Sequence, residues 1–380
     1  MDFSFSEEQA AIREMALSFA ADELAPHAID WDQSKTFPVE TLRKAAALGM
    51  GGIYVADDVG GSGLTRLDAA LIFEALSTGC PSVAAYISIH NMAAWMIDRF
   101  GSDDQRSTFL PDLCSMDRLA SYCLTEANAG SDASALRTKA VRDGDHYVVD
   151  GQKQFISGAG STDLLVAMVR TGGEGPKGIS TLVIPKDTPG VSFGANEAKM
   201  GWNAQPTRAV MFDGARVPVD NRLGDEGDGF RIAMAGLDGG RLNIAACSLG
   251  GAQAALDKTV RYMGERKAFG RHLQEFQALQ FKVADMAIEL EAARTFLWRA
   301  AVALDGKAPN ATRLCAMAKR FVTDTGFTVA NDALQLHGGY GYLSEYGLEK
   351  IVRDLRVHQI LEGTNEIMRM IVARDLLGVR

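Results

Sequence analysis

Positive charge and long apolar runs are both scarce in this sequence, and each scarcity excludes a class of protein. Over 380 residues, 39 Lys and Arg are outnumbered by 48 Asp and Glu, which gives a net charge of −9. Proteins that bind nucleic acid normally present a basic face. No apolar run approaches the roughly 20 residues that a membrane-crossing helix needs. We therefore expect neither a nucleic-acid partner nor insertion into a membrane.

Cysteine is also sparse, and the five cysteines form no CxxC pair: Cys80, Cys114, Cys123, Cys247 and Cys315. Scattered cysteines in odd number suit buried thiols in a reducing compartment better than a disulfide framework or a zinc site. The first residues, MDFSFSEEQAAIREMA, are acidic and lack the basic and then apolar layout of a secretory signal. The expected location is the bacterial cytoplasm, or the mitochondrial matrix if a transit segment has been removed.

Three signatures of nucleotide and metal binding are incomplete or missing as well. The GxGxxG pattern at 173–178 (GEGPKG) is followed by another β segment, GISTLVIP, and not by a helix; no GxxxxGK[ST] occurs, and there is no HExxH. Nicotinamide bound on a Rossmann sheet, P-loop chemistry and a zincin site are therefore unsupported. The sequence predicts no metal.

The residues that are present divide the chain into three parts. Helical periodicity fills 1–120, where Ser6 and Gln9 fit a capping box. Residues 121–225 are rich in short β segments, with Asp150-Gly151 as a predicted hairpin turn. No helical crossover separates these segments, which favours antiparallel pairing. Residues 226–380 are helical again, with apolar residues seven apart that indicate long antiparallel helices.

The predicted fold class is therefore α+β and multidomain. An all-α N-terminal domain (1–120) precedes a middle antiparallel β-barrel or sandwich (121–225). A C-terminal domain (226–380) resembling a four-helix bundle completes the chain. In that last domain, Val283, Leu290, Leu297 and Leu304 supply the seven-residue repeat.

Glu362, within ILEGTNEIMR (360–369), is the sharpest candidate for chemistry. It follows two apolar residues and precedes Gly363, and Thr364 is a reasonable N-cap for a final helix. The same pattern is compatible with an exposed loop glutamate. If the side chain is buried beside apolar neighbours, its pKa is raised from about 4.3 toward neutrality. A base that removes a carbon-bound proton at neutral pH requires such a pKa.

Three other stretches are candidates for ligand contact, and each has a plain structural alternative. YCLTEANAGSD (122–132) contains small residues that let backbone amides approach a ligand, although simple loops have the same composition. In LDGGRLNIAA (237–246), Arg241 is predicted near a helix start, where it opposes the helix dipole. It then indicates either an anionic partner or an ordinary salt bridge. QLHGGYGY (335–342) fits a helix C-cap, with His337 as a capping or packing group.

Six separated motifs in one order make the whole chain resemble the acyl-CoA dehydrogenase family, which shares the α–β–α order. They are YCLTEANAGSD, FISGAG, KMGWNAQPTRAVMFDGARVP, ERKAFGRHLQEFQALQ, QLHGGYGY and ILEGTNEIMR. The resemblance implies an FAD-dependent enzyme that desaturates an acyl-CoA between its α and β carbons. YISIHNMAAWMIDRFG, GWNAQPTRAV and VHQILEGTNEIMR are most similar to members that convert isobutyryl-CoA to methacrylyl-CoA in valine breakdown. The alternative substrates are 2-methylbutyryl-CoA and butyryl-CoA.

The resemblance also implies a role for each matching residue. Glu362 corresponds to the glutamate that takes the α-proton while the β-hydrogen leaves as hydride to flavin N5. The thioester carbonyl would be polarised by the backbone N–H of that glutamate and a flavin ribityl hydroxyl. Residues expected against the flavin are Tyr122, Cys123, Leu124, Thr125, Gly130, Ser131, Phe155, Ile156, Ser157, Thr364, Asn365 and Glu366.

Two further groups follow from the same matching. Residues expected to hold the pyrophosphate and adenosine of FAD across a subunit interface are Arg266, Phe276, Gln277, Gln335, Leu336, His337, Gly338 and Gly339. Residues expected to contact acyl-CoA are Ser131, Asp238, Gly239, Gly240, Arg241 and Arg374. The family also implies electron-transferring flavoprotein as electron acceptor, and a homotetramer arranged as a dimer of dimers.

Two departures from the family bear on the substrate and the base. Straight-chain members commonly have Tyr at Leu361 and Trp at Phe155, so smaller groups here are consistent with a short branched acyl chain. Isovaleryl-type members carry their base at the position of Gly240, which leaves Glu362 as the candidate of the two. The competing hypotheses are an oxidase relative that passes electrons to O₂, usually a much longer chain, and a non-catalytic helical interaction protein.

Overall fold

The computed structural model describes residues 4–379, and the N-terminal part is helical. The first helix, α1 (Glu7–Phe19), begins with the predicted capping box, in which the side chains of Ser6 and Gln9 each accept from the other's backbone N–H. A π-helical turn, Ala20–Leu24, continues it. The helices that follow are α2 (Ala28–Ser34), α3 (Val39–Ala47), α4 (Arg66–Gly79), α5 (Pro81–Phe100) and α6 (Asp103–Cys114).

The middle part forms one eight-stranded sheet. Its strands are β1 (Ala120–Cys123), β2 (Lys139–Asp143), β3 (His146–Ser157), β4 (Leu164–Arg170), β5 (Ile179–Pro185), β6 (Val191–Phe193), β7 (Thr207–Pro218) and β8 (Arg222–Leu223). The order is β6-β7-β3-β2-β4-β5-β8, and β1 pairs with β4. Most pairs are antiparallel, but β4 runs parallel to β1 and, at one residue pair, to β2. The β2–β3 hairpin supplies the crossover that parallel pairing requires, so no helix is needed.

The predicted hairpin turn at Asp150-Gly151 was wrong. The turn between β2 and β3 lies at Gly144-Asp145, between the paired residues Asp143 and His146. Gly151 lies inside β3 at a register shift, with φ of 141°. A Cβ at Gly151 would come within 2.7 Å of the Cα of Thr138. The glycine therefore serves a bulge in a continuous strand, where only glycine fits.

The C-terminal part consists of three long helices and two shorter ones. They are α7 (Gly229–Glu265), α8 (Gln277–Asp305), α9 (Ala311–His337), α10 (Leu348–His358) and α11 (Asn365–Leu377). A two-residue-per-strand hairpin, β9 (Lys267–Ala268) and β10 (Arg271–His272), connects α7 to α8. Leu290 and Leu297 of α8 are buried, and Val283 and Leu304 pack against the same core, which confirms the predicted repeat.

Helix α7 is central, because it packs against α4, α5, α8 and α9 and also contacts β5. Arg241 lies deep within α7, so the prediction that it lies near a helix start was wrong. The pair Gly239-Gly240 resembles a helix boundary in sequence, but tertiary packing overrides that low propensity. Helix gives way to strand between Cys114 and Ala120, and strand to helix between Leu223 and Gly229.

Two expectations concern the ends of the chain and the membrane. Residues 1–3 and 380, at the outer limits of the predicted domains, lie outside the described residues. Within 4–379, every helix is too short or too polar to cross a bilayer.

Candidate active site

The turn between α10 and α11 holds Glu362 in a conformation that is unusual for a residue with a side chain. The φ angle is 56° at Glu362 and 86° at Gly363. The left-handed region costs a non-glycine residue about 1–2 kcal/mol. Thr364 accepts a hydrogen bond from the N–H of Ile367 and so caps α11 as predicted. Among residues 4–379 the N–H of Glu362 finds no backbone acceptor, which leaves it available to a ligand oxygen.

The carboxylate of Glu362 is directed into the protein. Its Oε2 atom is buried and has no hydrogen-bond partner in the described part of the chain. Burial raises the pKa of Glu362 to about 7, although the positive charges of Arg241 and Lys319 oppose the rise. The prediction of a raised pKa is confirmed, and a glutamate exposed on a loop is excluded. Such a group is both partly ionised and basic near neutral pH.

Helix α7 has a glycine, Gly240, at the position that faces this carboxylate. A Cβ added at Gly240 would lie 2.6 Å from Oε2 of Glu362 and 2.9 Å from Sδ of Met92. One turn earlier, a Cβ at Gly236 would lie 3.0 Å from Sδ of Met96. The space in front of the base is therefore bounded by α5 and α7, and glycines on α7 keep room for the base.

Two aromatic residues of the sheet, Tyr122 and Phe155, are among those that the resemblance implies at the flavin. Tyr122 of β1 has a buried hydroxyl without a partner among the described residues. Burial raises the pKa of Tyr122, and the charge of Glu362 raises it further, so the two groups lie within electrostatic reach. Phe155 has φ of 60° and is 61% exposed. A left-handed backbone at a residue with a side chain is unusual and often occurs at functional sites.

The other residues predicted near the flavin lie around these two. Cys123, Leu124 and Ile156 are buried, Thr125 and Ser157 are half-buried, and Gly130 and Ser131 are exposed on the loop after β1. At the start of α11, Asn365 is buried and Glu366 is exposed.

A separate groove gathers most residues predicted to hold the pyrophosphate and adenosine. Its lining residues are Tyr262, Arg266, Leu273, Gln335, Leu336, His337, Gly338, Gly339, Tyr340 and Leu343. Phe276, the N-cap of α8, donates from its N–H to the carbonyl of Leu273, so Phe276 and Gln277 lie at the edge of the groove.

His337 in this groove is a packing group. It is buried, stacks on Tyr262 with ring centroids 4.3 Å apart, and bonds through Nδ1 to the carbonyl of Ala333 at 2.8 Å. The two glycines after it have a different role. Gly338 has φ of 59°, and nothing lies within 4 Å of a Cβ added at Gly338 or Gly339. Packing within the chain therefore does not require glycine at Gly339.

One chain does not bring the groove and the Glu362 turn together. From Lys319, beside the turn, to Gln335, in the groove, α9 rises by about 24 Å at 1.5 Å per residue. From Arg241 to Tyr262, α7 rises by about 32 Å on the same basis. Arg374 is exposed in the last turn of α11, at the end of the molecule that carries the turn.

Comparison with known proteins decides the family. The acyl-CoA dehydrogenase N-terminal domain matches residues 6–117, the middle domain residues 121–215 and the C-terminal domain residues 227–377. The chain belongs to the acyl-CoA dehydrogenase family. It is thus an FAD-dependent oxidoreductase that acts on acyl-CoA.

Individual relatives agree with this assignment. Over 372 residues this acyl-CoA dehydrogenase is 57% identical to a mitochondrial isobutyryl-CoA dehydrogenase of Bos taurus and 55% identical to one of Dictyostelium discoideum. Each comparison covers 98% of this chain and 89% of the relative. The solved structure of butyryl-CoA dehydrogenase from Megasphaera elsdenii has a TM-score of 0.96 and 37% identity, covering 99% of this chain and 100% of that one.

The described residues fit FAD. The buried hydroxyl of Tyr122, which has no partner among residues 4–379 and lies within electrostatic reach of Glu362, suits a polar ring beside that carboxylate. The open backbone at Gly338-Gly339, next to Arg266, suits a pyrophosphate. A bound FAD would thus find partners for groups that are otherwise unpaired or open.

Sequence reasoning missed a cationic and aromatic wall beside the base. The guanidinium carbon of Arg66 lies 3.7 Å from the ring centroid of Tyr54 and 4.7 Å from that of Trp95. A Cβ at Gly239 would collide with this guanidinium. Burial raises the pKa of Tyr54, while the charge of Arg66 lowers it and that of Glu362 raises it. Trp95 lies within YISIHNMAAWMIDRFG, but no motif links it to Tyr54 and Arg66, because the three lie on separate segments that only the fold brings together.

Sequence reasoning also missed a buried lysine that contacts the loop after β1. Lys153 of β3 is fully buried and donates to the carbonyl of Leu124 at 3.2 Å and to Oε1 of Glu126 at 2.8 Å. Glu126 accepts in turn from the N–H groups of Arg137 and Thr138. This network fixes the chain after β1, where flavin contacts are expected. The only sign of this network in the sequence is Lys153 itself, a charged residue at a core-facing position of β3.

Proposed function

We propose that this acyl-CoA dehydrogenase converts isobutyryl-CoA to methacrylyl-CoA, with Glu362 as the base that removes the α-proton. The observation that carries the base assignment is the buried Oε2 of Glu362, unpaired among residues 4–379, in a group whose pKa burial raises to about 7. The substrate proposal is supported by the 57% and 55% identity to two isobutyryl-CoA dehydrogenases.

Glu362 serves the reaction with two groups. Its backbone N–H donates to the thioester carbonyl, and polarisation of that carbonyl makes the α-proton acidic enough for a carboxylate to remove. One such donor contributes about 3–4 kcal/mol at comparable sites. The α-proton is transferred to Oε2 of the side chain. When bound, FAD would supply the acceptor for the hydride that leaves the β-carbon.

The remaining contacts follow the family and are part of the proposal. Residues 122–131, 155–157 and 364–366 contact the flavin, and Ser131, Asp238–Arg241 and Arg374 contact acyl-CoA. Met92, Met96 and the bare face of α7 then bound the acyl chain, which suits a short substrate.

We infer that a second copy of the chain completes each FAD site, within a homotetramer. The support is the separation of about 24 Å along α9 between the Glu362 turn and the groove. Apolar side chains near the groove, Phe269 at 95% and Tyr342 at 80% exposure, offer a surface for such a contact. Electron-transferring flavoprotein is the proposed electron acceptor, and the bacterial cytoplasm or the mitochondrial matrix the proposed location.

Anaerobic titration of the purified yellow protein with a panel of acyl-CoA thioesters tests the substrate. Isobutyryl-CoA should bleach the flavin and give the highest kcat/KM, ahead of 2-methylbutyryl-CoA and butyryl-CoA. One methylene changes kcat/KM by about 1–3 kcal/mol in free energy, so the ranking is measurable. A higher kcat/KM for a straight-chain thioester would contradict the proposal. Rapid reoxidation by air with release of peroxide would indicate an oxidase, and a colourless protein that binds no FAD a non-catalytic one.

A further inference from the structure

Two buried cations hold consecutive carbonyl groups of the Glu362 turn. Nε of Arg241 lies 3.4 Å from the carbonyl oxygen of Glu362, and Nζ of Lys319 donates to the carbonyl of Gly363 at 2.8 Å. Lys319 also donates to Oδ1 of Asn365, the first residue of α11, at 2.9 Å. The side chain of Lys319 therefore ties α9 to the backbone on the C-terminal side of the base.

Lys319 differs from the other buried lysines in its charge partner. Within residues 4–379 the buried lysines are Lys153, Lys319 and Lys350. Lys153 forms a salt bridge with Glu126 at 2.8 Å, and Lys350 forms one with Asp354 at 2.6 Å. Lys319, although 0% exposed, forms hydrogen bonds to neutral oxygens alone. A buried ammonium normally requires a counter-charge, because removal from water is costly.

The carboxylate that acts most strongly on Lys319 is that of Glu362, the residue before the Gly363 carbonyl to which Lys319 donates. Burial lowers the pKa of Lys319 to about 7, and the charge of Glu362 is the strongest influence that opposes this fall. Burial raises the pKa of Glu362, and the charges of Arg241 and then of Lys319 lower it. The two groups interact through space and titrate as a coupled pair.

The other charged groups around the pair have partners or lie further out. Arg241 is neutralised by Asp238 at 2.6 Å. Asp324 accepts from Asn365 and Gln359 at 2.7 Å each. The remaining titratable groups that face the pair are Tyr54, Arg66, Tyr122, His358 and Glu366.

We propose that Lys319 is a positioning residue for Glu362, holding the turn through Gly363 and Asn365 and keeping the base ionised through its positive charge. This rests on the proposed role of Glu362 as the base. The hydrogen bonds maintain the left-handed backbone at Glu362. The positive charge of Lys319 adds to that of Arg241 in favouring the ionised carboxylate. Removal of the charge favours protonated Glu362, so the base becomes active only at higher pH.

Three variants separate the two roles of Lys319. Lys319→Met removes both the charge and the hydrogen bonds, Lys319→Gln keeps a donor for the carbonyl of Gly363, and Lys319→Arg keeps the charge. For each holoenzyme, the pH profile of kcat/KM with isobutyryl-CoA is measured. The protonation of Glu362 is followed independently by infrared difference spectra across pH, with Glu362→Gln assigning the carboxyl band.

In the Met and Gln variants, the acid limb of kcat/KM and the infrared midpoint should both move upward by about one pH unit. At pH 7, kcat/KM should fall about fivefold in the same variants, because a rise of one unit from about 7 lowers the ionised fraction of Glu362 from about one half to about one tenth. Lys319→Arg should restore both midpoints to within about 0.3 of the parent. The infrared midpoint does not depend on the substrate, so it remains informative if isobutyryl-CoA does not bleach the parent enzyme.

Unchanged midpoints in Lys319→Met and Lys319→Gln would overturn the proposal, even if their activity were low. Loss of folding or of FAD in both would also overturn it, because the lysine would then be structural. Failure of the proposed function looks different, since the unmodified enzyme would then not be bleached by any thioester.

Discussion

At the scale of the residue, the base depends more on what surrounds it than on its sequence neighbours. Of the two apolar residues before Glu362, Leu361 packs against the core but Ile360 is 50% exposed. Burial of the carboxylate comes instead from Met92 on α5 and the bare backbone of Gly240 on α7. The raised pKa was predicted correctly, but its principal cause is long-range contact that a local pattern does not contain.

Gly240→Ala should impair the base without loss of FAD. The added methyl group would lie 2.6 Å from Oε2 of Glu362, so the carboxylate must move. We expect kcat to fall at least about tenfold, since a displacement of this size misaligns a reacting group. Steady-state kinetics and the flavin absorbance measure the two effects. The matched control is Gly173→Ala, where a Cβ meets nothing within 4 Å; equal kinetics in both variants would contradict the expectation.

At the scale of the element, long periodic helices were predictable and irregular strands were not. The seven-residue repeat of α8 follows directly from its packing face, and the N-cap Thr364 follows from its hydroxyl. The Asp150-Gly151 turn failed because the same dipeptide serves a bulge when the partner strand continues past it. The prediction that Arg241 lies near a helix start failed for a similar reason, since Gly239 and Gly240 before it serve close packing inside α7.

Lys153→Met should loosen the chain after β1, which carries proposed flavin contacts. The substitution leaves Glu126 partly buried without its cation, and breaking a buried pair in this way costs about 3–5 kcal/mol. We expect a clearly lower Tm together with weaker retention of FAD, measured by thermal unfolding and by flavin release on dilution.

The control is Lys186→Met. It removes a salt bridge of the same length, 2.8 Å between Lys186 and Asp163, in which the lysine side chain is 42% exposed. Exposed pairs contribute about 0–1 kcal/mol. A Tm in Lys153→Met no lower than in Lys186→Met would show that the buried network does not support the loop.

At the scale of the whole molecule, the three-part order and the family follow from sequence, but the assembly of the site does not. Six motifs in order indicate the family, yet they do not reveal that α7 and α9 place the groove far from Glu362. The contact of Arg66 with Tyr54 and Trp95 could not be predicted either, because the three residues come from separate segments of the chain. Distances across the molecule are properties of the packed helices, and spacing in sequence does not encode them.

Mixed oligomers test whether two copies share each FAD site. One chain carries Glu362→Gln, which damages the turn, and the other carries Gly339→Asp, which adds negative charge to the groove where open space tolerates it. If each site combines the turn of one copy with the groove of another, mixed dimers contain one intact site. We expect each variant alone to be inactive and co-expressed chains to recover up to about half of the activity per mixed dimer.

The control is co-expression of two differently tagged Glu362→Gln chains, which should remain inactive. Absence of recovery in mixed oligomers whose composition is verified would mean that turn and groove act within a single chain.

The central claim is that Glu362 removes the α-proton, and the rate of anaerobic flavin bleaching tests it most directly. The parent enzyme and Glu362→Gln, matched in FAD content, are mixed with isobutyryl-CoA in a stopped-flow instrument. Loss of a general base should slow bleaching by at least about 100-fold while the flavin spectrum of the free variant is unchanged. Bleaching of Glu362→Gln at the parent rate would contradict the claim.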